Sequence, residues 1–165
     1  MIAIGSDHAG FRLKELIIRH LEERALPCRD FGAFDGRGAD YVPIGAAVAE
    51  AVAAGACERG ILICGTGIGM SIAANKRAGI RAALCGDTYS AELSRRHNDA
   101  NVLALGARVV GEGLAMRIVD AWLDAPFDGG RHLERVKLIS RLEESVLGGL
   151  GGGAAADCQR PQKCS

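Results

Sequence analysis

Short apolar runs and helical stretches alternate from the first residue to about residue 125, and this alternation limits the fold more than any other feature. The runs are MIAIG, a weaker LPCRDFG, then GILIC, IRAALC and NVLALG. Behind the first comes FRLKELIIRHLEER, with Phe11, Leu13, Leu16, Ile17 and Leu21 near helical spacing. YVPIGAAVAEAVAAG reads as an alanine-rich helix with Pro43 near its start. GMSIAANKRAG is expected to stay helical to about Gly79. Asp87 is the expected N-cap of DTYSAELSRRHND, and Pro126 closes GEGLAMRIVDAWLDAP. Such a pattern predicts an α/β fold with a mostly parallel sheet, covered on both faces and joined by right-handed crossovers. Ligands of these sheets bind outside the carboxyl ends of the strands, at a topological switch point. SDHAG, CGTGIG, CGDTYS and GARVVG all follow strands, so they are expected on one edge. His97, Asn98 and Asp99 are expected on that same edge.

Composition removes several function classes. The 165 residues suffice for one domain with a full core. Acidic and basic residues balance at 20 each, so no charged field invites nucleic acid or a membrane surface. There is no apolar run of membrane-spanning length, and the first residues lack the pattern of a secretory signal, so a cytoplasmic protein is expected. The six cysteines, Cys28, Cys57, Cys64, Cys85, Cys158 and Cys164, contain no CxxC pair. Zinc-type spacing is missing, and reduced thiols are expected. No clustered metal ligands are expected either. GGLGGGAAADCQRPQKCS carries no apolar face, so residues 1–147 are expected as the domain and 148–165 as a tail outside it.

The stretch ILICGTGIGMSIAANK is either a tight turn with glycines for packing or the seat of the chemistry. Gly65, Gly67 and Gly69 alternate between a strand and a helix, where a ligand can approach the backbone and free N–H groups stabilise negative charge. A P-loop would need GxxxxGK[S/T], which is absent. A dinucleotide fingerprint would need GxGxxG after the first strand, whereas GxGxG follows the third. Asp87 lies near where a ribose-binding acid would fall, which leaves a nucleotide-binding module as a weak alternative. Cys64 immediately precedes the turn, in surroundings that favour a thiolate. A thiolate beside N–H donors suits either attack on a carbonyl or proton abstraction next to one.

Other polar residues carry two readings each. Asp7 and His8 follow the first strand, while His97, Asn98 and Asp99 could equally be a helix stop. Arg131 and Arg135 share a helix face in its first turns, where the helix dipole disfavours cations. They are either a solvated face, paired with Glu134 or another acid, or the two sides of a phosphate site. Leu133, Val136, Ile139, Leu142 and Val146 give the same helix an apolar stripe that no strand of its own explains.

Taken together, GSDHAGFRLK, DYVPIGAAVAEAV, GILICGTGIGMSIAANKRAGIRAALC, SAELSRRHNDANVLALGARVVG and IVDAWLDAPFDGGRHLERV resemble the ribose-5-phosphate isomerase B family, which includes the galactose-6-phosphate isomerase subunits. The resemblance spans about residues 1–145. It implies a Rossmann-like three-layer α/β/α sandwich with a five-stranded parallel sheet and an extra C-terminal helix. It implies interconversion of ribose 5-phosphate and ribulose 5-phosphate without metal or cofactor, by a homodimer with shared active sites, or a tetramer. A hexose 6-phosphate, allose or galactose 6-phosphate, is the alternative substrate. By resemblance, Cys64 is the catalytic base, and Gly65, Thr66, Gly67, Ile68 and Gly69 surround the enediolate, with Thr66 counted as catalytic. His97 is the acid that opens the furanose, reaching in from the other subunit. Asp7, His8 and Asn98 contact the sugar phosphate, and Arg108, Arg131 and Arg135 hold its phosphate. Some relatives replace the cysteine with a glutamate on the next helix, but MSIAANK contains no acid, so the cysteine version applies.

Overall fold

Side chains alternate across a strand, so one strand buried on both sides feeds two cores. In β3 (Arg59–Cys64), Ile61 and Ile63 join one core while Leu62 and Cys64 join the other. The computed structural model describes residues 1–149, with side chains through Glu143. Its other elements are β1 (Ile2–Ser6), α1 (Phe11–Glu23), β2 (Cys28–Asp30), α2 (Tyr41–Ala53), α3 (Ile68–Ala74), β4 (Ala82–Leu84), α4 (Thr88–Asn98), β5 (Val102–Gly106), α5 (Glu112–Asp124) and α6 (Arg131–Gly149). The five strands form one parallel sheet in the order β2-β1-β3-β5-β4. Leu13, Ile17 and Leu21 of α1, Ala91 of α4 and Ile118, Val119 and Trp122 of α5 cover one face. Val48, Ala49 and Val52 of α2 with Met70 and Ala74 of α3 cover the other. This is the expected α/β/α sandwich.

Two features of the topology place the site. The chain returns across β1 to begin β3, so the strand order reverses there and a crevice opens between their carboxyl ends. The Asp7 N–H donates to the Ile63 carbonyl at 3.2 Å and ties the two strand ends together. Parallel strands also require each connecting helix to run back, so helices begin at the carboxyl edge and end at the amino edge.

Local chemistry sets most boundaries. Asp87 caps α4 as expected, its carboxylate accepting the Ser90 N–H at 2.7 Å. Asp40 caps α2 by accepting the Val42 N–H at 3.1 Å. Helix α3 stops at Ala74, well short of the expected Gly79. There the Asn75 amide pairs with both the N–H and the C=O of Ala82, at 2.8 and 2.9 Å, and so fastens the helix end to β4. Helix α6 runs to Gly149, two residues beyond the expected domain end at 147. The expected tail lies outside the described residues from 150 onward.

Candidate active site

The turn after β3 folds back over its own strand end. Gly67 sits at φ 78°, a left-handed conformation that costs glycine little, and this bend aims its N–H at the Cys64 sulfur, 3.1 Å away. An N–H donor so placed stabilises negative charge on that sulfur. The Ile68 N–H reaches the Thr66 hydroxyl at 3.4 Å, and the Ile68 side chain is exposed. The next strand end is stitched on through backbone bonds: Ala107 N–H donates to the Cys64 carbonyl at 2.9 Å, and Arg108 N–H to the Gly65 carbonyl at 3.0 Å. The Arg108 guanidinium lies over Gly65, where a Cβ would stand 3.6 Å from its Nη1. Tyr41 closes the other side, its ring 2.7 Å from where a Gly69 Cβ would be. Across the crevice, buried Asp7 accepts the Gly10 N–H at 2.9 Å, and the His8 Nδ1 lies 3.3 Å from the Ala39 carbonyl. Asp7, His8, Cys64, Gly65, Thr66, Gly67, Ile68, Gly69 and Arg108 are therefore gathered at the carboxyl edge.

Burial pushes the Cys85 thiol up to about 11, and burial also raises Cys28. Both are protonated at neutral pH and unsuited to act as a base.

The remaining residues stand elsewhere, contrary to the expectation that residues 97–99 share this edge. Helix α4 runs back along the sheet, so its last turn ends at the amino edge. The Asn98 carbonyl accepts from Arg81, which precedes β4, and the Gly60 N–H donates to Asn101. Gly60 and Cys64 are level with Val102 and Gly106, so this edge lies about 13 Å along the strands from the thiol. Arg131 and Arg135 are at the amino edge too. The consecutive left-handed glycines Gly129 and Gly130, at φ 62° and 53°, turn the chain into α6 beside the end of α4. Asp128 fixes that junction: its N–H donates to the Arg96 carbonyl at 3.0 Å, and its carboxylate accepts from Arg96 Nε at 3.1 Å.

At this junction His97 and His132 stack, with ring centroids 4.1 Å apart and planes 8° apart. Asp128 Oδ2 lies 4.0 Å from His97 Nε2. His132 is buried, and its Nε2 lies 3.4 Å from Arg131 Nε, which donates toward it. Burial holds the His132 imidazole below its ordinary value, helped by positive charge on His97, Arg131 and Arg135 and opposed by Asp128. Glu134 pairs with Lys137 at 2.9 Å, not with an arginine. Among the described residues no carboxylate pairs with Arg108, Arg131 or Arg135.

His97, Asp128 and His132 also bring three donor atoms within 4.8 Å of one another, a clustering not expected from the sequence. The two rings lie flat against each other, while Arg131 and Arg96 already engage His132 and Asp128. That is poor preorganisation for a tetrahedral ion. Asp128, His132 and Tyr41 are the residues that sequence reasoning missed. Only the quoted DYVP and DGGRH stretches hint at them.

The family model described as ribose/galactose isomerase matches residues 2–139. The chain belongs to this family. Among similar members, the Escherichia coli protein named ribose-5-phosphate isomerase B is 56% identical over 143 residues, spanning 87% of this chain and 96% of that one. A Pectobacterium atrosepticum member named D-erythrulose-4-phosphate isomerase is 48% identical over 144 residues, 86% of this chain and 94% of that one. The Clostridium thermocellum ribose-5-phosphate isomerase B structure superposes with a TM-score of 0.87 at 55% identity, covering 88% of this chain and 98% of that one. A Mycoplasma genitalium ribose-5-phosphate isomerase B solved with bound ribulose-5-phosphate gives 0.83 at 41% identity, covering 87% and 95%. Among the described residues, no helix is long and apolar enough to cross a membrane.

Proposed function

We propose that this chain is an aldose–ketose isomerase that interconverts ribose 5-phosphate and ribulose 5-phosphate. One observation carries the reading. A buried thiol ends the central strand with its sulfur under a backbone N–H, in a chain 56% identical to a protein named for that reaction. Cys64 as thiolate removes the proton from C2 of the open-chain aldose, and the electron pair moves onto the C1 carbonyl oxygen. The N–H groups of the turn from Gly65 to Gly69 and the Thr66 hydroxyl face the enediolate oxygens. Cys64 returns the proton to C1, and the hydroxyl proton passes from O2 to O1, leaving a ketone at C2. No electrons enter or leave, so no redox cofactor is required.

The working unit is a homodimer with two shared sites. Cys64 from one subunit meets His97 from the other, which opens the furanose. Asp7, His8 and Asn98 contact the sugar, and Arg108, Arg131 and Arg135 hold the phosphate. The support is the separation of Cys64 from His97 within one chain, together with exposed Leu133, Leu138 and Ile139 on α6. Residues 1–147 form the isomerase domain. A cytoplasmic setting accords with free thiols at Cys28, Cys57, Cys64 and Cys85.

Purified protein assayed with ribose 5-phosphate, allose 6-phosphate, galactose 6-phosphate and erythrulose 4-phosphate is expected to give the highest kcat/KM on the pentose. Preference for a hexose or the tetrose would move the substrate assignment. Tight binding of an adenine nucleotide without isomerisation would replace it with a nucleotide-binding module. Arg135→Ala is expected to raise KM for the phosphorylated sugar about 10- to 100-fold, the equivalent of one charge-assisted contact of roughly 1.5–3 kcal/mol. Unchanged steady-state constants would return both arginines to a solvated face.

A further inference from the structure

We infer that His132 is a positioning residue for His97: its buried ring, stacked flat against the His97 imidazole, fixes the plane in which His97 meets the sugar. This rests on the reading of His97 as the ring-opening acid.

His97 is partly exposed at the last turn of a helix. A side chain there has two torsions to sweep, and a proton-transfer group loses rate when its ring turns away from the reacting oxygen. Two contacts remove that freedom, and a third interaction holds one of them in place. The parallel stack at 4.1 Å blocks one face of the His97 ring. Asp128, 4.0 Å from Nε2, biases its in-plane direction. Asp128 is itself clamped to Arg96 through backbone and side chain. His132 is suited to the supporting part because it is buried and does not swing. Its Nε2 faces Arg131 Nε, which leaves the ring proton on Nδ1. The charged groups around His132 are His97 from α4, Asp128 from the preceding loop, and Arg131 and Arg135 from α6. Three of these four are cationic or can become so. A second imidazolium would repel His97, so His132 supports the stack as a neutral ring.

The test compares His132→Ala, which deletes the stack, with His132→Phe, which keeps a flat ring and removes the titrating nitrogens. With cyclic ribose 5-phosphate, His132→Ala is expected to lower kcat about 10- to 100-fold while KM changes less than threefold. With ribulose 5-phosphate, an open-chain ketose, the first turnover is expected to slow far less. His132→Phe is expected to recover most of the lost kcat. The upfield ring-current shift of the His97 ring protons, read by NMR, is expected to vanish in His132→Ala and persist in His132→Phe. Full activity in His132→Ala overturns the inference, as does a His132→Phe enzyme as slow as the alanine variant. A loss confined to KM, or equal first-turnover losses in both directions, also overturns it. Failure of the underlying reading looks different. His97→Asn would then turn over ribose 5-phosphate normally, while the ring-current shift in the wild-type chain would still report the stack.

Discussion

Cys64→Ala is expected to lower kcat by about 10²- to 10⁴-fold while leaving the fold intact, because removing a general base costs about that much. The thiol is small and the site lies at a strand end, so the loss of buried volume is modest compared with the several kcal/mol that hold a domain together. Cys64→Ser sharpens the result. It keeps an acceptor for the Gly67 N–H but replaces the thiol with a hydroxyl, a far poorer source of the anion. It is expected to be nearly as slow as the alanine variant. Cys85→Ala makes the contrast, since burial keeps that thiol protonated with a value of about 11, and its kcat is expected to stay within a fewfold of wild type. Rates from purified variants, with circular dichroism as the control for folding, decide the matter. A Cys64→Ala enzyme with near-normal turnover would falsify the assignment of the base.

The second large effect is expected from mixing two inactive proteins. If each site takes Cys64 from one subunit and His97 from the other, a mixed dimer of Cys64→Ala and His97→Asn chains has one doubly damaged site and one intact site. Random reassortment makes about half of the dimers mixed, so about a quarter of wild-type activity is expected to return. Each variant alone stays at the low level of its own lesion. The measurement is activity after co-refolding the two variants in equal amounts. No recovery, with mixed dimers verified by differently tagged chains, would place acid and base in the same chain. The structure makes this a demanding test, because it holds the two residues at opposite edges of a single sheet.

Much of the architecture is legible from local pattern. Each strand begins within a few residues of its apolar run, and the Asp87 cap is where residue chemistry puts it. The carboxyl-edge half of the site is legible for the same reason, since segments that follow strands in a parallel sheet must share an edge. The amino-edge half is not. His97 sits in the last turn of a helix instead of following a strand, and the direction of that helix sends it to the far edge. The end of α3 is hidden as well, since it depends on Asn75 reaching Ala82, seven residues on, across the sheet edge. His132 carries no local mark beyond its place in the DGGRH stretch. Its neighbours Arg131 and Arg135 suggest an anion, whereas its own part depends on a stack with a residue 35 positions earlier (132 − 97).

The backward run of α4 has a consequence for dilute enzyme. On the proposed reading, a lone subunit holds a base without its ring-opening acid, and an acid without its base. Turnover then depends on encounters between chains. Below the dissociation constant of the pair, the rate falls with the square of protein concentration, so specific activity declines on dilution even though every chain stays folded.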